Sequence, residues 1–319
     1  MNGPLYLTEE DVASLVSVPE AIGILETAFR DQSTGNSIAN PRQRLRMSGT
    51  TLHIMAGSIP GYFGYKAYTT AAGKAQFRFY LFDMKTTDLV SVMEADTLGQ
   101  IRTGAATGLA TRILANSSAS QATLFGAGWQ AQSQLLAMDA VRQLEQVWIV
   151  NRSAERRESF IRKMQPLVKA KLVVPDSPES AVKSSHVITT MTSSKDPVLK
   201  GEWLQAGQHI NAAGGNLLLR RELDDAAVLC ADLVVADSIE QARIEAGEFI
   251  GVMETGKRHW HDLVELSDVV AGRRSRIRDT DITLFKSLGL AIEDTALAAN
   301  VYNRAMDRGV GKRIHLPPL

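Results

Sequence analysis

The sequence predicts an α/β protein, a Rossmann-type doubly wound parallel sheet joined to a second, α+β domain. Three observations lead there. Between residues 116 and 296 short apolar runs alternate with helical stretches, the pattern of a parallel sheet covered on both faces. At the first of these runs, Thr123-Leu124-Phe125-Gly126-Ala127-Gly128-Trp129-Gln130-Ala131 sets strand, glycine turn and helix in the order a dinucleotide site requires. Before residue 115 the text differs: two helical segments, then runs rich in aromatic and β-branched residues, separated by glycine and proline.

In chain order, Thr8 and Asp11 frame the start of a first helix as N-cap and N3 residues. Pro19 suits the first turn of a second helix, along which Ala21, Ile22, Leu25, Ala28 and Phe29 recur at helical spacing. Runs 51–55, 65–69 and 77–82 read as strands of an antiparallel or mixed sheet. Small residues at helical spacing (Ala105, Ala106, Leu109, Ala110) mark 96–114 as a tightly packed helix. Further strands are expected at 122–125, 147–150, 171–174, 187–191, 209–213 and 233–236, with helices at 130–141, 154–164, 178–184 and 220–227. A last helix runs from about 294 to 308. These boundaries define a first domain, 1–115, and a dinucleotide-binding domain, 116–296.

Composition narrows the function classes. Thirty-five basic residues offset 35 acidic ones in a chain of 319, so no global field favours nucleic acid or anionic lipid. The single Cys230 allows neither an intramolecular disulfide nor a multi-cysteine zinc site, which fits a reducing compartment. No apolar run approaches the roughly 20 residues of a membrane helix, and the first residues lack a signal-peptide pattern. A cytoplasmic protein without nucleic-acid or membrane partners is expected.

In the glycine turn, Gly126 permits the tight bend and Gly128 lets backbone amides approach a pyrophosphate at the helix start, with Ala127 and Gln130 beside it. Ala131 replaces the third glycine. The second strand ends at Asn151, 25 residues beyond Gly126, where an acid normally binds the ribose hydroxyls of NAD. Here neutral Asn151 is followed by Arg152 and Ser153. A guanidinium at that point pairs with a 2′-phosphate, so NADP(H) is favoured and NAD(H) is second. The alternative is that Arg152 is a solvated helix-start residue.

Three cations, Arg42, Lys66 and Arg102, stand in apolar or small-residue text. A buried cation needs an anion, which a carboxylate substrate provides; composition alone favours a surface or salt-bridged residue at each. His259-Trp260-His261 lacks further ligands and reads as a polar loop, so no metal is expected. His209 reads as a structural histidine and Asp294 as a helix-start acid. The basic run 273–278 reads as a solvated loop.

Four motifs together resemble the ornithine cyclodeaminase/mu-crystallin family. They are Arg102-Thr103-Gly104-Ala105-Ala106, the glycine turn, His209-Ile210-Asn211-Ala212-Ala213-Gly214-Gly215 and Leu284-Phe285-Lys286-Ser287-Leu288-Gly289-Leu290-Ala291-Ile292-Glu293-Asp294. The resemblance implies that Arg42, Lys66 and Arg102 hold a substrate carboxylate and polarise its amine or imine end. It implies that Thr103 touches the cofactor, and that Ser287 and Gly289 line the nicotinamide pocket. It further implies a homodimer formed through the first domain, to which the C-terminal helical segment, 297–319, returns. In the cyclodeaminases an aspartate follows the Gly-Gly pair; here that catalytic position is Asn216, followed by Leu217-Leu218-Leu219 in place of the usual Pro-Gly. Asparagine takes no proton at neutral pH, which disfavours ring closure with ammonia loss. The expected function is NAD(P)H-dependent reduction of an α-imino acid, a cyclic ketimine such as Δ1-pyrroline-2-carboxylate or a linear imino acid, or the reverse amino-acid dehydrogenation. An ornithine cyclodeaminase-type ammonia lyase and a non-catalytic NADPH or small-ligand binding protein are the alternatives.

Overall fold

The computed structural model, described over residues 3–315, divides into two units, Met1–Arg102 with Gly289–Leu319, and Thr103–Leu288. The divisions therefore fall at 102/103 and 288/289 instead of 115/116 and 296/297. Helix Asp96–Leu114 accounts for the first difference, because it is one unbroken helix shared between the units. Its Asp96 amide is held by Glu9 of the first unit, while its Thr111 and Ala115 end is held by Arg142 of the second. Residues 316–319 of the expected returning segment lie outside the described part.

The first unit is built on a mixed sheet. Its strands lie in the order Lys312–Arg313, Leu5–Leu7, Leu89–Glu94, Lys74–Asp83, Tyr62–Ala71, Thr50–Ile59, Ile38–Ala39, and Gln43–Met47 also pairs with Thr50–Ile59. Every pairing is antiparallel except Leu5–Leu7 with Leu89–Glu94. The two opening helices begin as their capping residues dictate. Thr8 Oγ1 accepts from Asp11 N at 3.2 Å while the Asp11 carboxylate takes the Thr8 amide at 2.9 Å, and Ser17 caps Val18–Ser33 in the same way with Glu20.

Helix Ala291–Arg308 lies on the sheet over strands Thr50–Ile59 and Tyr62–Ala71. Two glycines let it come that close. A Cβ at Gly57 would stand 3.0 Å from Ala291, and one at Gly64 would enter the Phe79 ring and lie 3.2 Å from Thr295 Oγ1. Gly309, at φ +67°, ends the helix in the left-handed conformation.

The second unit is an eight-stranded, wholly parallel sheet. Its order is Lys171–Val173, Gln146–Val150, Gln121–Phe125, Val187–Thr190, His209–Ala212, Thr283–Lys286, Leu233–Ala236, Val264–Glu265. From Gln121–Phe125 the chain first winds outward to Gln146–Val150 and Lys171–Val173 and then returns to its other side at Val187–Thr190, so the switch in strand order lies between Gln121–Phe125 and Val187–Thr190; Thr283–Lys286 is later inserted between His209–Ala212 and Leu233–Ala236. Ligands bind at the carboxyl ends of strands at such a switch. The sheet contains Thr283–Lys286, which the alternation count did not identify as a strand. It is short and directly precedes the Ser287–Asp294 motif, so no helix-length text follows it within the unit.

Three local expectations are corrected. The helix expected at 220–227 is Asp225–Cys230, because Asp224 is its cap and Glu222, fully buried, turns inward ahead of it. The run 273–278 is not simply solvated: Arg276 is half-buried and donates to the carbonyls of Leu114, Gly207, Asp279 and Gln208. Asp294 is more than a helix-start acid, as the site below shows. His209 is buried, bonded to Thr283 Oγ1 at 2.8 Å and Asn211 Oδ1 at 3.0 Å; burial pushes its pKa down to about 3, so it is neutral. Among the described residues no group of three or more His, Cys, Asp or Glu is placed to hold a metal, and no single helix is long and apolar enough to cross a membrane.

Candidate active site

The first unit assembles a buried charge cluster. Lys66 lies in strand Tyr62–Ala71, with Met55 and Phe79 as its cross-strand neighbours. Arg42 enters from the chain just before strand Gln43–Met47, its Nε 3.3 Å from Met55 Sδ and its Nη2 donating to Gly289 O at 3.2 Å. Arg102 comes from helix Asp96–Leu114, one turn beyond Gly99, whose missing side chain faces the Lys66 ammonium at 3.7 Å. All three cations are at least nine-tenths buried.

Two carboxylates on the first turn of Ala291–Arg308 meet them. Lys66 Nζ lies 2.8 Å from Asp294 Oδ1; Arg102 reaches Glu293 Oε2 at 3.0 Å through Nη1 and Asp294 Oδ1 at 3.3 Å through Nε. Both acids are fully buried. Burial drives the Lys66 pKa down to about 8, with Arg102 and Arg42 adding to the fall and Asp294 opposing it. Burial raises that of Asp294, but Lys66 and Arg102 outweigh it and hold the carboxyl below its ordinary value. Gly289 completes the cluster. At φ +81° it presents its carbonyl to Arg42, and a Cβ there would collide with the Arg102 guanidinium.

Three cations against two carboxylates leave one positive charge while Lys66 is protonated. Guanidinium groups so placed can take a single carboxylate bidentately, with an ammonium that titrates near neutral pH beside it.

The second unit holds a cavity of about 590 Å³ at the strand-order switch. One wall runs from Phe125 to Ala131 and includes the glycine turn; the opposite wall is Met191–Ser194 with Gly214. Its fit to a dinucleotide rests on three observations. Gly126 at φ +115° packs against the Met191 carbonyl, where a Cβ would clash, so it is required by the turn. Gly128 has nothing within 4 Å of a built Cβ, so neighbouring packing does not require it, and as N-cap of Trp129–Val141 it leaves that helix without a side-chain cap. The start of a 13-residue helix therefore lies in the cavity lining with no side chain at its N-cap, beside Gln130, whose Oε1 is buried and unpartnered.

At the end of strand Gln146–Val150 the cavity is lined by Asn151, Arg152, Ser153 and Arg156. Asn151 Oδ1 accepts from Ser153 N at 2.9 Å, and Ser153 caps the helix that carries Arg156. Arg152 and Arg156 are exposed, and among the described residues no carboxylate lines the cavity.

The structure thus gathers Arg42, Lys66 and Arg102 in one cluster and the glycine turn with residues 151–153 in one cavity. Thr103 and Ser287 are buried in the second unit and are not part of that cavity's lining; Gly289 lies among the arginines of the first unit. Asn216 is half-buried on the turn after strand His209–Ala212. Sequence reasoning placed Asp294 at a helix start, where it lies, but paired neither it nor Glu293 with the three cations. The signal was available: three cations in apolar text demand acids in similar text, and Glu293-Asp294 lies between Ala291-Ile292 and Ala296-Leu297.

The ornithine cyclodeaminase/mu-crystallin family profile matches residues 3–309. An uncharacterized cyclodeaminase of Sinorhizobium fredii is 32% identical, over 96% of this chain and 97% of the relative. The alanine dehydrogenase of Archaeoglobus fulgidus is also 32% identical, over 97% and 98%. Among solved structures, Thermococcus litoralis Δ1-pyrroline-2-carboxylate reductase in complex with NADH and L-proline superposes with a TM-score of 0.92. It is 30% identical, over 97% of this chain and 100% of that one. This chain belongs to the ornithine cyclodeaminase/mu-crystallin family.

Proposed function

We propose that the protein is an NAD(P)H-dependent reductase of α-imino acids, which also runs in reverse as an amino-acid dehydrogenase. The observation that carries this reading is the buried cluster with its single excess positive charge, in a chain that also has a dinucleotide cavity. Arg42 and Arg102 bind the substrate carboxylate, and Lys66 faces the nitrogen. A bound reduced nicotinamide supplies a hydride to the imine carbon. Lys66 Nζ holds the proton that the nitrogen takes up, and Asp294 keeps that ammonium charged in a site where burial opposes charge. Glu293 fixes the Arg102 fork.

NADP(H) is the preferred cofactor in this reading. Two guanidinium groups and no carboxylate at the end of the second strand support it. The Thermococcus litoralis relative was solved with NADH, so the preference is a property argued for this chain alone. The test is a panel of cyclic and linear α-imino acids, each supplied with NADPH and NADH and followed by the loss of reduced-nicotinamide absorbance. Dinucleotide binding without oxidation on any imine would favour a binding protein. Ammonia release from ornithine with no net cofactor use would favour a cyclodeaminase.

A further inference from the structure

The second unit contains a second buried charge group that the chemistry above does not use. Glu222, Glu248 and Lys286 are all at most 1% exposed. Glu222 is pinned through its backbone: its carbonyl accepts from Val198 N and Leu199 N at 2.7 and 2.9 Å, and its amide donates to Glu248 Oε1 at 3.2 Å. Its side chain joins two loops. Oε1 accepts the Thr192 amide at 2.6 Å, and Oε2 accepts the Gly214 amide and the Thr190 hydroxyl, each at 2.8 Å. Thr192 and Gly214 both line the dinucleotide cavity. Lys286 Nζ then donates to Gly215 O at 2.6 Å and lies 3.2 Å from Glu248 Oε2. Consecutive glycines are thereby held from below, Gly214 by its N–H and Gly215 by its carbonyl, immediately before Asn216. Gly214 has no room for a Cβ, which would meet Thr192 and Glu222.

We propose that Glu222, Glu248 and Lys286 are positioning residues, a buried charged brace that sets the Thr192 and Gly214–Asn216 loops and through them dinucleotide affinity and turnover. The inference rests on the proposed reading of that cavity as the dinucleotide site. An apolar trio would hold the same space at lower desolvation cost, so three buried charges need a reason beyond packing. The reason here is that two backbone amides on different loops converge on one carboxyl group, each meeting a different oxygen, an arrangement no apolar side chain supplies. Glutamine has one acceptor oxygen, so in Glu222→Gln an amide NH2 must face either the Thr192 or the Gly214 N–H, and that loop shifts. Lys286→Met frees the Gly215 carbonyl and acts on the Asn216 side instead.

The test measures NADPH affinity by its fluorescence, kcat on an accepted imine, and Tm, for the full-length protein and both variants, with kinetics well below every Tm. Glu222→Gln is expected to weaken NADPH binding by about tenfold or more. Lys286→Met is expected to lower kcat by about tenfold while changing NADPH affinity less. A merely structural role would lower Tm in both and leave this split absent. If folded Glu222→Gln binds NADPH within about twofold of the unmodified protein, the inference is overturned. If Glu222→Gln does not fold, Lys286→Met decides, and unchanged kcat in that variant overturns it. If the unmodified protein binds no dinucleotide, the functional reading falls first and this inference with it.

Discussion

Replacing Asp294 by asparagine removes one charge from the buried Lys66 pair without changing its size. The two atoms are 2.8 Å apart and both side chains are almost fully buried. At an effective dielectric of about 20, charges at that distance attract by roughly 6 kcal/mol. Breaking such a pair by removing one partner costs about 3–5 kcal/mol after the protein relaxes. Lys66 has an easier response, which is to lose its proton. It titrates at about 8, and only about 1.4 kcal/mol separates that from pH 7. The lost attraction exceeds this severalfold, so in Asp294→Asn Lys66 is neutral at pH 7. In the unmodified protein kcat/KM for imine reduction should fall as pH rises through about 8. In the variant the same limb should lie below pH 7, with at least about a tenfold loss at pH 7 that is partly recovered on acidification. A pH–rate series on one imine checks this. A limb at the same pH in both proteins would assign it to the substrate's own imine and refute the reasoning. The linkage has the matching sign. The folded value of Lys66 lies below its unfolded one of 10.5, so the unfolded chain binds more protons between about 8 and 10.5. Stability from this group therefore rises with pH across that window, and the variant extends the window downward.

Arg102→Ala should raise KM by at least about tenfold and lower kcat, because the carboxylate loses its fork and Glu293 its partner; Arg42→Ala should be milder. Near-normal kcat/KM in both variants on every accepted substrate would place the carboxylate elsewhere. Arg152→Ala should weaken NADPH by roughly 10- to 150-fold, the worth of a charge-assisted hydrogen bond, and leave NADH unchanged. Equal losses for both dinucleotides in titrations would refute the 2′-phosphate assignment. Ornithine should give no proline and ammonia in a redox-neutral cycle, or at most about a hundredth of the imine-reduction rate, since Asn216 accepts no proton. Robust turnover with catalytic amounts of dinucleotide would refute this, and Asp294 would be the first substitute base to replace.

The second unit was largely legible because its signals are local. Glycine spacing, a capping serine at Ser153 and short apolar strands each act within a few residues, and helix Ala154–Met164 and strand Leu233–Ala236 lie where the text puts them. The fingerprint and residues 151–153 were legible for the same reason, since a strand-turn-helix unit brings them to one cavity. What was not legible depends on contacts far apart in the chain. Asp294 is 228 residues from Lys66, and Glu293 is 191 from Arg102. At a helix start both acids satisfy the local dipole argument, which hides their long-range partners. Glu222 was read as helical text because nothing nearby reveals that its oxygens serve Thr192 and Gly214. Strand Thr283–Lys286 escaped because its pairing with both His209–Ala212 and Leu233–Ala236 is a property of the sheet, not of its own four residues.

The two glycines beneath the long helix belong to the chemistry as much as the arginines do. Glu293 and Asp294 can be buried only if cations meet them, and the cations can be buried only if the acids arrive. That mutual requirement is met by lowering the start of Ala291–Arg308 onto the sheet, which Gly57 and Gly64 favour, since a Cβ at either would crowd Ala291 or Thr295 of the helix. The helix end contributes too: its dipole favours negative charge, so the two acids are stabilised from the helix side as well as by Lys66 and Arg102. The acids are therefore not consumed in cancelling the cluster. Three cations against two acids still leave the cluster one positive charge in excess while Lys66 is protonated. In the proposed reading a substrate carboxylate balances that charge, which lets a pocket with two acids of its own select an anion.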